Sequence, residues 1–177
     1  MELYLPPGMI FTRLTAAAFA ELEQQWTDEC ASFGEDFSQF AAPSIEHAKK
    51  IASEQPADPR YGIFALQHDG KHEIIVHLNR ASLPGTTGHT LRVNWALAAP
   101  RYDFAPLVAD EIGPSVVGLF IGILQTAQTT MGSRYVKVHL GSMPDRSIFS
   151  GMAHGLAGVG AATDVSVRGN WLHLTIG

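Results

Sequence analysis

The sequence is poor in cysteine and lacks long apolar runs. Cys30 is the only cysteine among 177 residues, which excludes an intramolecular disulfide and a zinc cage of thiolates and fits a reducing compartment. The longest apolar run, VVGLFIGIL at residues 116–124, has nine residues, whereas a helix needs about 20 to cross a bilayer. The first residues, MELYLPPGMIFTRL, lack the basic region and apolar stretch of a secretory signal. We therefore expect a cytoplasmic protein without a membrane partner.

The sequence also lacks clustered positive charge. Its 12 lysines and arginines are scattered and are outnumbered by 17 acidic residues, for a formal net charge of -5. Nucleic-acid-binding surfaces need clustered basic residues, so we expect no nucleic-acid partner. The composition, with 46% hydrophobic and 16% charged residues, is that of a soluble globular protein. A chain of this length predicts one domain spanning residues 1–177.

Common catalytic signatures are absent as well. The sequence has no GxSxG elbow, GxxxxGK(S/T) loop, HExxH helix or GxGxxG turn. His68 and His72 flank a predicted hairpin turn, while His77 lies far along its strand. These three histidines do not predict a metal site, and no metal is expected.

Apolar periodicity predicts a mixture of strands and helices. Phe19, Leu22, Trp26 and Cys30 recur at helical spacing, whereas the apolar runs in the middle of the chain are bounded by turn residues, as strands are. The expected elements are, in order, a strand at 9–15, a helix at 16–33, a helix from Ser44 ended by Pro56, strands at 61–67, 72–81 and 90–99, a helix from Ser115 to about Met131, a strand at 134–140, a helix within 145–157 and a hairpin at 163–176.

Turn residues predict how these strands pair. Asp69-Gly70 predicts a tight hairpin in the middle section, and Gly169-Asn170 predicts another in the last one. LPGTTG, at residues 83–88, supplies a longer loop. A meander that continues through a helix into a further strand does not form a sandwich. The predicted fold class is therefore α+β, with about seven strands in a mixed, largely antiparallel sheet and helices on both faces.

The order and spacing of these elements, from residue 9 to residue 176, resemble those of the GCN5-related N-acetyltransferase (GNAT) superfamily. The resemblance implies a transferase that moves an acyl group from acetyl-CoA, or another acyl-CoA, to an amine on a small molecule or peptide. In that superfamily the fourth strand leads into a turn of the form (Q/R)xxGx(G/A). Backbone N–H groups of this turn, at the start of a helix, hold the pyrophosphate of the cofactor.

The corresponding turn in this chain is DEIGPS, residues 110–115. The resemblance implies that the fourth strand holds the pantetheine arm and that this turn holds the pyrophosphate. Asp110 and Glu111 would repel a phosphate, and Pro114 removes one N–H donor. The same residues are favoured where a helix begins, so a helix start without a cofactor is the alternative. The implied cofactor contacts are Leu97, Ala98, Ile112, Gly113, Ser115 and Val116.

The catalytic residues are less well matched. The superfamily often has a tyrosine general acid in its last-but-one helix, but here that position falls on Gly151 or Phe149, and neither can donate a proton. His139 is the candidate general base, because the fifth strand borders the implied thioester cleft and an imidazole accepts a proton near neutral pH. The alternative is an ordinary polar residue on a strand. Candidate substitutes for the acid are Ser142, Ser150 and His154.

Aromatic residues indicate where an acceptor would bind. Asn94 and Trp95 on the fourth strand, together with Tyr102, would line a ligand cleft, although a strand tryptophan is more often part of the core. Phe33 and Phe37 lie between the first two helices, a connection that helps to form the acceptor pocket in the superfamily. The alternatives for these two phenylalanines are a lid over the core and a dimer surface. The candidate acceptor contacts are Phe33, Phe37, Asn94 and Trp95.

Two functions remain open from the sequence. The first is an acyl-CoA-dependent N-acyltransferase that acts on an unknown amine, and the order of the elements favours it. The second is a GNAT-like binding or structural module, including a homodimer, that has lost its acetyl-CoA site. The departures at residues 110–115 and at the tyrosine position favour this second function.

Overall fold

The computed structural model describes residues 3–106, 109–141 and 162–176, together with Phe149, Gly151 and Gly155. The helix predicted within residues 145–157 lies, apart from these three residues, outside the described ranges. The strands are β1 (Met9–Arg13), β2 (Tyr61–His68), β3 (Lys71–Ser82), β4 (His89–Ala98), β5 (Tyr135–His139), β6 (Asp164–Arg168) and β7 (Trp171–Thr175). The α-helices are α1 (Ala16–Ser32), α2 (Ala42–Ala52), α3 (Arg101–Phe104) and α4 (Ala109–Gln128).

The strands form one sheet in the order β1-β2-β3-β4-β5-β7-β6. Neighbouring strands are antiparallel except β4 and β5, which run parallel. Asp69 and Gly70 have φ angles of 48° and 78°, and two successive positive values are what a type I′ hairpin turn requires. The predicted mixed, largely antiparallel sheet and both tight hairpins are confirmed.

Helices cover both faces of this sheet, as predicted. On one face, α1 and α2 contribute Trp26 and Ile45 to a buried cluster that includes Ile75 of β3. On the other face, α4 contributes Phe120 to a cluster that includes Val138 of β5. Side chains alternate between the faces along a strand, which is how β2 and β3 supply both clusters. The cluster under α1 and α2 contains no described residue of β5, β6 or β7.

The start of α4 differs from the prediction. The helix begins at Ala109 and not at Ser115, so Pro114 lies inside it and cannot donate a backbone hydrogen bond to the preceding turn. The prediction was wrong because proline is favoured in the first helical turn, whereas the acidic residues before it are equally favoured there. The short α3 was not predicted. In the described ranges no helix combines the length and apolarity that crossing a bilayer requires.

The close approach of α4 to the sheet depends on glycine. A Cβ atom on Gly122 would come within 2.4 Å of Phe11 Cγ, and one on Gly118 within 2.5 Å of Met9 Sδ. Phe11 cannot easily move, because its ring stacks on Phe64 with 5.7 Å between centroids. The helix therefore rests on β1 where it has no side chain.

Gly122→Ala should lower the free energy of unfolding by up to about 2 kcal/mol. Overpacking costs about 1–3 kcal/mol, and the gain in helix propensity, about 1 kcal/mol, offsets only part of it. Gly113→Ala is the matched control in the same helix, since no atom of the described residues lies within 4 Å of its added Cβ, and it should not destabilise. Urea unfolding measures both. Equal stability of the two variants would contradict this account of the contact.

Candidate functional site

The parallel strands β4 and β5 part along their length. They form four residue pairs, ending at Val93↔Val138, while β4 continues to Ala98. In the described ranges, this last part of β4 has no strand partner on its β5 side. The register between β3 and β4 shifts at the same level, so that Asn94 is an extra residue in β4. Such a β-bulge bends and twists its strand, and here it turns β4 away from β5.

A small cavity of about 100 Å³ lies in the gap between the two strands. We call it the gap cavity. Its walls are the diverging ends of β4 and β5, the middle of α4, and Phe149, which follows β5 in the chain. Most of the lining is apolar, so the cavity suits a small apolar group. The lining residues are Val93, Trp95, Ala96, Leu119, Ile123, Val138, His139 and Phe149.

A larger cavity of about 410 Å³ opens on the other face of the sheet, beside α2. We call it the polar cavity. Asn94 lines the polar cavity, while its neighbours Val93 and Trp95 line the gap cavity. Neighbouring residues at the bulge therefore line two different cavities, one on the α4 side of the sheet and one on the α2 side. The polar cavity is lined by His47, Lys50, Ile51, Glu54, Tyr61, His77, Asn79, Arg92 and Asn94.

Two histidines and a tryptophan stack beside the bulge. The rings of His47 and His77 lie 5.2 Å apart, and the His77 ring lies 5.8 Å from that of Trp95. The Asn94 side-chain amide donates to Asn79 Oδ1 at 3.0 Å and faces His77 Nδ1 at 3.4 Å. Burial, and second the neighbouring His47, lower the pKa of His77 to about 4. His77 is therefore neutral at pH 7, where it offers hydrogen bonds and is a poor proton acceptor.

A network of charges anchors the end of β4. Arg101 donates to Glu29 Oε1 at 2.8 Å and also to Glu73. The Tyr102 hydroxyl lies 2.6 Å from Glu73 Oε2 and 2.9 Å from Ser115 Oγ. Burial, followed by the hydrogen bond to Glu73, raises the pKa of Tyr102. The network connects α1, β3, α3 and α4 at the end of β4 where the gap is open.

The predicted cofactor contacts fall into two groups. Leu97 and Ala98 lie on β4 beyond its last pair with β5. The other group lies in the first two turns of α4, where Gly113 has an ordinary negative φ. Because the helix already begins at Ala109, residues 110–115 belong to its first two turns and form no separate turn before it. Contact of these residues with a cofactor stays a prediction. Ser115 is buried and bonded to Tyr102. The members of this second group are Ile112, Gly113, Ser115 and Val116.

The structure brings three of the predicted site residues together. Trp95 and His139 both line the gap cavity, and Asn94, the neighbour of Trp95 on β4, lines the polar cavity. The His139 ring also packs edge-on against Trp171, with 4.9 Å between centroids. Ser142 lies outside the described residues.

The two predicted phenylalanine contacts lie elsewhere. The Phe33 ring is 6.1 Å from that of Phe104, and the Phe37 ring is 6.5 Å from that of Phe40. Neither Phe33 nor Phe37 lines the gap cavity or the polar cavity. Their contact with an acceptor stays a prediction.

Most residues of the polar cavity were not predicted from the sequence. Lys50, Asn79 and Arg92 carried no motif, and His77 was considered only as a metal ligand. One signal was available: the loop at residues 83–88 makes β3 and β4 antiparallel neighbours, and the register then places Asn79 opposite Arg92.

The architecture is similar to that of solved acetyltransferases. An acetyltransferase of the GNAT family from Streptococcus pneumoniae is 13% identical over 96% of this chain and 99% of its own, with a TM-score of 0.57. An N-acetyltransferase from Staphylococcus aureus Mu50 is 9% identical over 94% of this chain and 97% of its own, with a TM-score of 0.54. An aminoglycoside N(6')acetyltransferase from Legionella pneumophila is 9% identical over 98% of this chain and 92% of its own, with a TM-score of 0.53.

This likeness is one of structure. No protein-family model matches the chain, and no curated protein matches it in sequence. At such low identities the likeness establishes the fold, so the chain has the fold of the GNAT acetyltransferases. The resemblance predicted from the order of the elements is confirmed.

Arg101→Met should lower the free energy of unfolding by about 3 kcal/mol. The substitution leaves two carboxylates, Glu29 and Glu73, without their cation in a largely buried site. Arg60→Met is the matched control, because Arg60 pairs with Asp58 at the surface, where an ion pair contributes little. Chemical denaturation compares the variants. Equal losses would show that the network does not anchor the fold.

The low pKa of His77 predicts a dependence of stability on pH. Its folded pKa, about 4, lies below the unfolded value of about 6.5, so the unfolded chain binds the proton more readily. The stabilising contribution is therefore complete above pH 6.5 and is lost as the pH falls toward the folded pKa. Between pH 7 and pH 4, His77→Gln should lose less stability than the wild type. The control is His68→Gln, at a histidine that is only half-buried, and identical pH profiles for the two variants would refute the prediction.

Proposed function

We propose that the protein is an acyl-CoA-dependent N-acyltransferase that acts on small amines. The observation that carries the proposal is the parting of β4 and β5 after Val93↔Val138, with the gap cavity lined by Val93 and the polar cavity lined by its neighbour Asn94. A thioester and an amine can then approach each other from opposite faces of the sheet. Holding two reactants in such a geometry supplies a large part of catalysis. The fold supports the same reaction class, although function depends on the site.

The chain fits an acyl-CoA on the α4 side of the gap. The edge of β4 that carries Leu97 and Ala98 has no strand partner in the described ranges, so its backbone groups can bond to a pantetheine arm. The N–H groups at the start of α4 favour an anion. Gly113 follows the first four residues of the helix, whose N–H groups lack a helical acceptor, and no atom of the described residues lies within 4 Å of a Cβ built on it, which leaves space beside this turn for a phosphate. Ile112 and Val116 flank this position. When bound, the acyl-CoA supplies an activated acyl thioester.

The residues of this chain would then position the reactants and move the proton. Backbone N–H groups on the open edge of β4 donate to the carbonyl oxygen, where charge develops. His139, on the wall of the gap cavity, accepts the proton that the amine releases. The C–N bond forms as the C–S bond breaks, and the departing thiolate takes up a proton. Ser142 stays the predicted donor of that proton.

The size of the gap cavity favours a short acyl group. Its volume is about 100 Å³, and one water molecule occupies about 30 Å³ in the liquid. The cavity therefore has the volume of roughly three water molecules, which suits an acetyl or propionyl group. The acceptor class is an amine, as it is for the Legionella enzyme named for aminoglycosides.

A binding or structural module without acyl-CoA is the second candidate function. The burial of Ser115 and its bond to Tyr102 favour this alternative, because they remove one hydroxyl from the expected phosphate site. Asp110 and Glu111 at the start of α4 favour it for the electrostatic reason given above. A module of this kind, monomeric or dimeric, would not bind acyl-CoA, so binding distinguishes the two functions.

Acetyl-CoA should stabilise the protein against heat. At about 100 times its dissociation constant, a ligand adds about 2.7 kcal/mol to the free energy of unfolding, which corresponds to a rise of roughly 5–10 °C in the melting temperature. Ala96→Leu fills part of the gap cavity and should abolish the rise. Ala96→Ser, which hardly changes the volume, should keep it.

Two outcomes would count against the transferase. Should acetyl-CoA, propionyl-CoA and longer acyl-CoAs all leave the melting temperature unchanged, the binding module would be the better assignment. An undiminished rise in Ala96→Leu would mean that the acyl group binds outside the gap cavity.

A further inference from the structure

A row of polar side chains crosses the sheet on the face opposite α4. The register places Asn79 of β3 beside Arg92 of β4, Arg92 beside Lys137 of β5, Lys137 beside His173 of β7, and His173 beside Ser166 of β6. The residues that alternate with them on β4, β5 and β7 belong to the core under α4. The row itself lies beside the region that α1 and α2 cover, where their buried cluster ends.

Three cavities along this row form one groove, which we call the cross-sheet groove. The polar cavity shares Arg92 with a cavity of about 280 Å³. That cavity shares Lys137 and His173 with a third, of about 310 Å³, bordered by Pro84, Gly85 and Thr86 of the β3–β4 loop. The groove therefore runs from α2 to β6. Asn94 lies at its α2 end, in the polar cavity.

The cross-sheet groove is positively charged, although the whole chain has a net charge of -5. Counting described residues alone, its lining has two carboxylates, Glu54 beside α2 and Asp164 on β6. The Glu54 carboxylate accepts a hydrogen bond from the Tyr61 hydroxyl at 2.6 Å. Positive side chains outnumber these carboxylates two to one. They are Lys50, Arg92, Lys137 and Arg168.

The two central cations have no carboxylate partner among the residues that the structure describes. In the described ranges neither Arg92 nor Lys137 takes part in a salt bridge, and the Arg92 guanidinium lies 5.3 Å from the centre of the Trp171 ring. Both side chains are half-buried, so solvent and salt screen them less than they screen exposed charges. They are positioned to bind an anion between β4 and β5.

The pKa of His173 reports the positive charge of the groove. Burial, then Lys137 and Arg168, lower the pKa of His173. Lys137 faces it from β5, while Ser166, Arg168 and the carboxylate Asp164 lie on β6. The adjoining part of the β3–β4 loop contributes no charged residue. An anion bound in the groove would counteract the two cations and raise this pKa.

We propose that the acceptor amine carries an oxyanion, a carboxylate or a phosphate, which Arg92 and Lys137 bind while the amine lies at Asn94. This inference rests on the proposed function and names its substrate class. Arg92 and Lys137 precede Asn94 and His139 by two residues on their strands, a distance of about 7 Å. The groove therefore selects short amines with an anionic group, such as amino acids and amino phosphates. It repels polycationic amines.

The kinetic test compares matched pairs of acceptors with acetyl-CoA. Phenylalanine is paired with phenylalaninamide, and phosphoethanolamine with ethanolamine. The anionic member should have a kcat/KM at least about tenfold higher, and the pair with the larger ratio distinguishes a carboxylate from a phosphate. In Arg92→Gln/Lys137→Gln, the preference should disappear through a higher KM for the acceptor, with kcat and the KM for acetyl-CoA unchanged.

The matched control removes two exposed cations outside the cross-sheet groove, in Lys49→Gln/Lys71→Gln, and should keep the preference. Equal rates for both members of each pair in the wild type would overturn the inference. So would a higher KM for acetyl-CoA in place of the acceptor in Arg92→Gln/Lys137→Gln, because the oxyanion would then belong to the cofactor.

A second measurement is independent of turnover. Millimolar acetate or inorganic phosphate should raise the pKa of His173, measured by NMR titration, in the wild type and in the control. It should leave this pKa unchanged in Arg92→Gln/Lys137→Gln. If the pKa rises but acetyl-CoA does not bind, the anion site stands and the proposed function falls. If acetyl-CoA binds but the pKa does not respond to either anion, the proposed function stands and the inference falls.

Discussion

The geometry of the site depends on one extra residue in a strand. Asn94 shifts the register of β4 against β3, and from that level onward β4 and β5 no longer pair. A regular β4 would continue its parallel ladder and close the sheet. The insertion instead leaves a strand edge without a partner in the described ranges, a small apolar cavity beside it and a polar cavity behind it. The open strand edge and the two cavities beside it are all found at this one departure from regular pairing.

Two anchors keep the strands apart. The end of β4 is held toward β3, where the Ala99 backbone N–H donates to the backbone carbonyl of Glu73 at 2.8 Å. Arg101 then links the Glu73 carboxylate to that of Glu29. On the other face, the Phe149 ring packs 6.0 Å from that of Phe120 of α4 and lines the gap cavity. A gap supported on both sides is preorganised, so little conformational free energy is needed to open it for a ligand.

Local signals made most of the fold predictable. Alternating apolar residues marked the strands, and the Asp69-Gly70 pair determined a hairpin, because both signals act over a few neighbouring residues. The start of α4 was predicted wrongly from Pro114, because proline is favoured in the first turn of a helix but here lies inside the helix. The bulge was not predictable, because the residues around Asn94 are those of an ordinary strand and no residue there marks an irregular position. Arg92 and Lys137 are neighbours because β4 and β5 pair in parallel. These strands are separated in the chain by α4, so no pattern of neighbouring residues could predict that pair.

The topology also determines when the sheet can be completed. β5 pairs with β4 over four residue pairs and with β7 over five, and β6 joins the sheet through β7. Parallel pairing is slightly weaker per residue than antiparallel pairing, so β5 depends on a strand that is translated near the end of this sequence. While the ribosome is still adding residues 164–175, β1 to β4 can already form a four-stranded sheet. During that interval β4 is an open edge, which neighbouring nascent chains could bind.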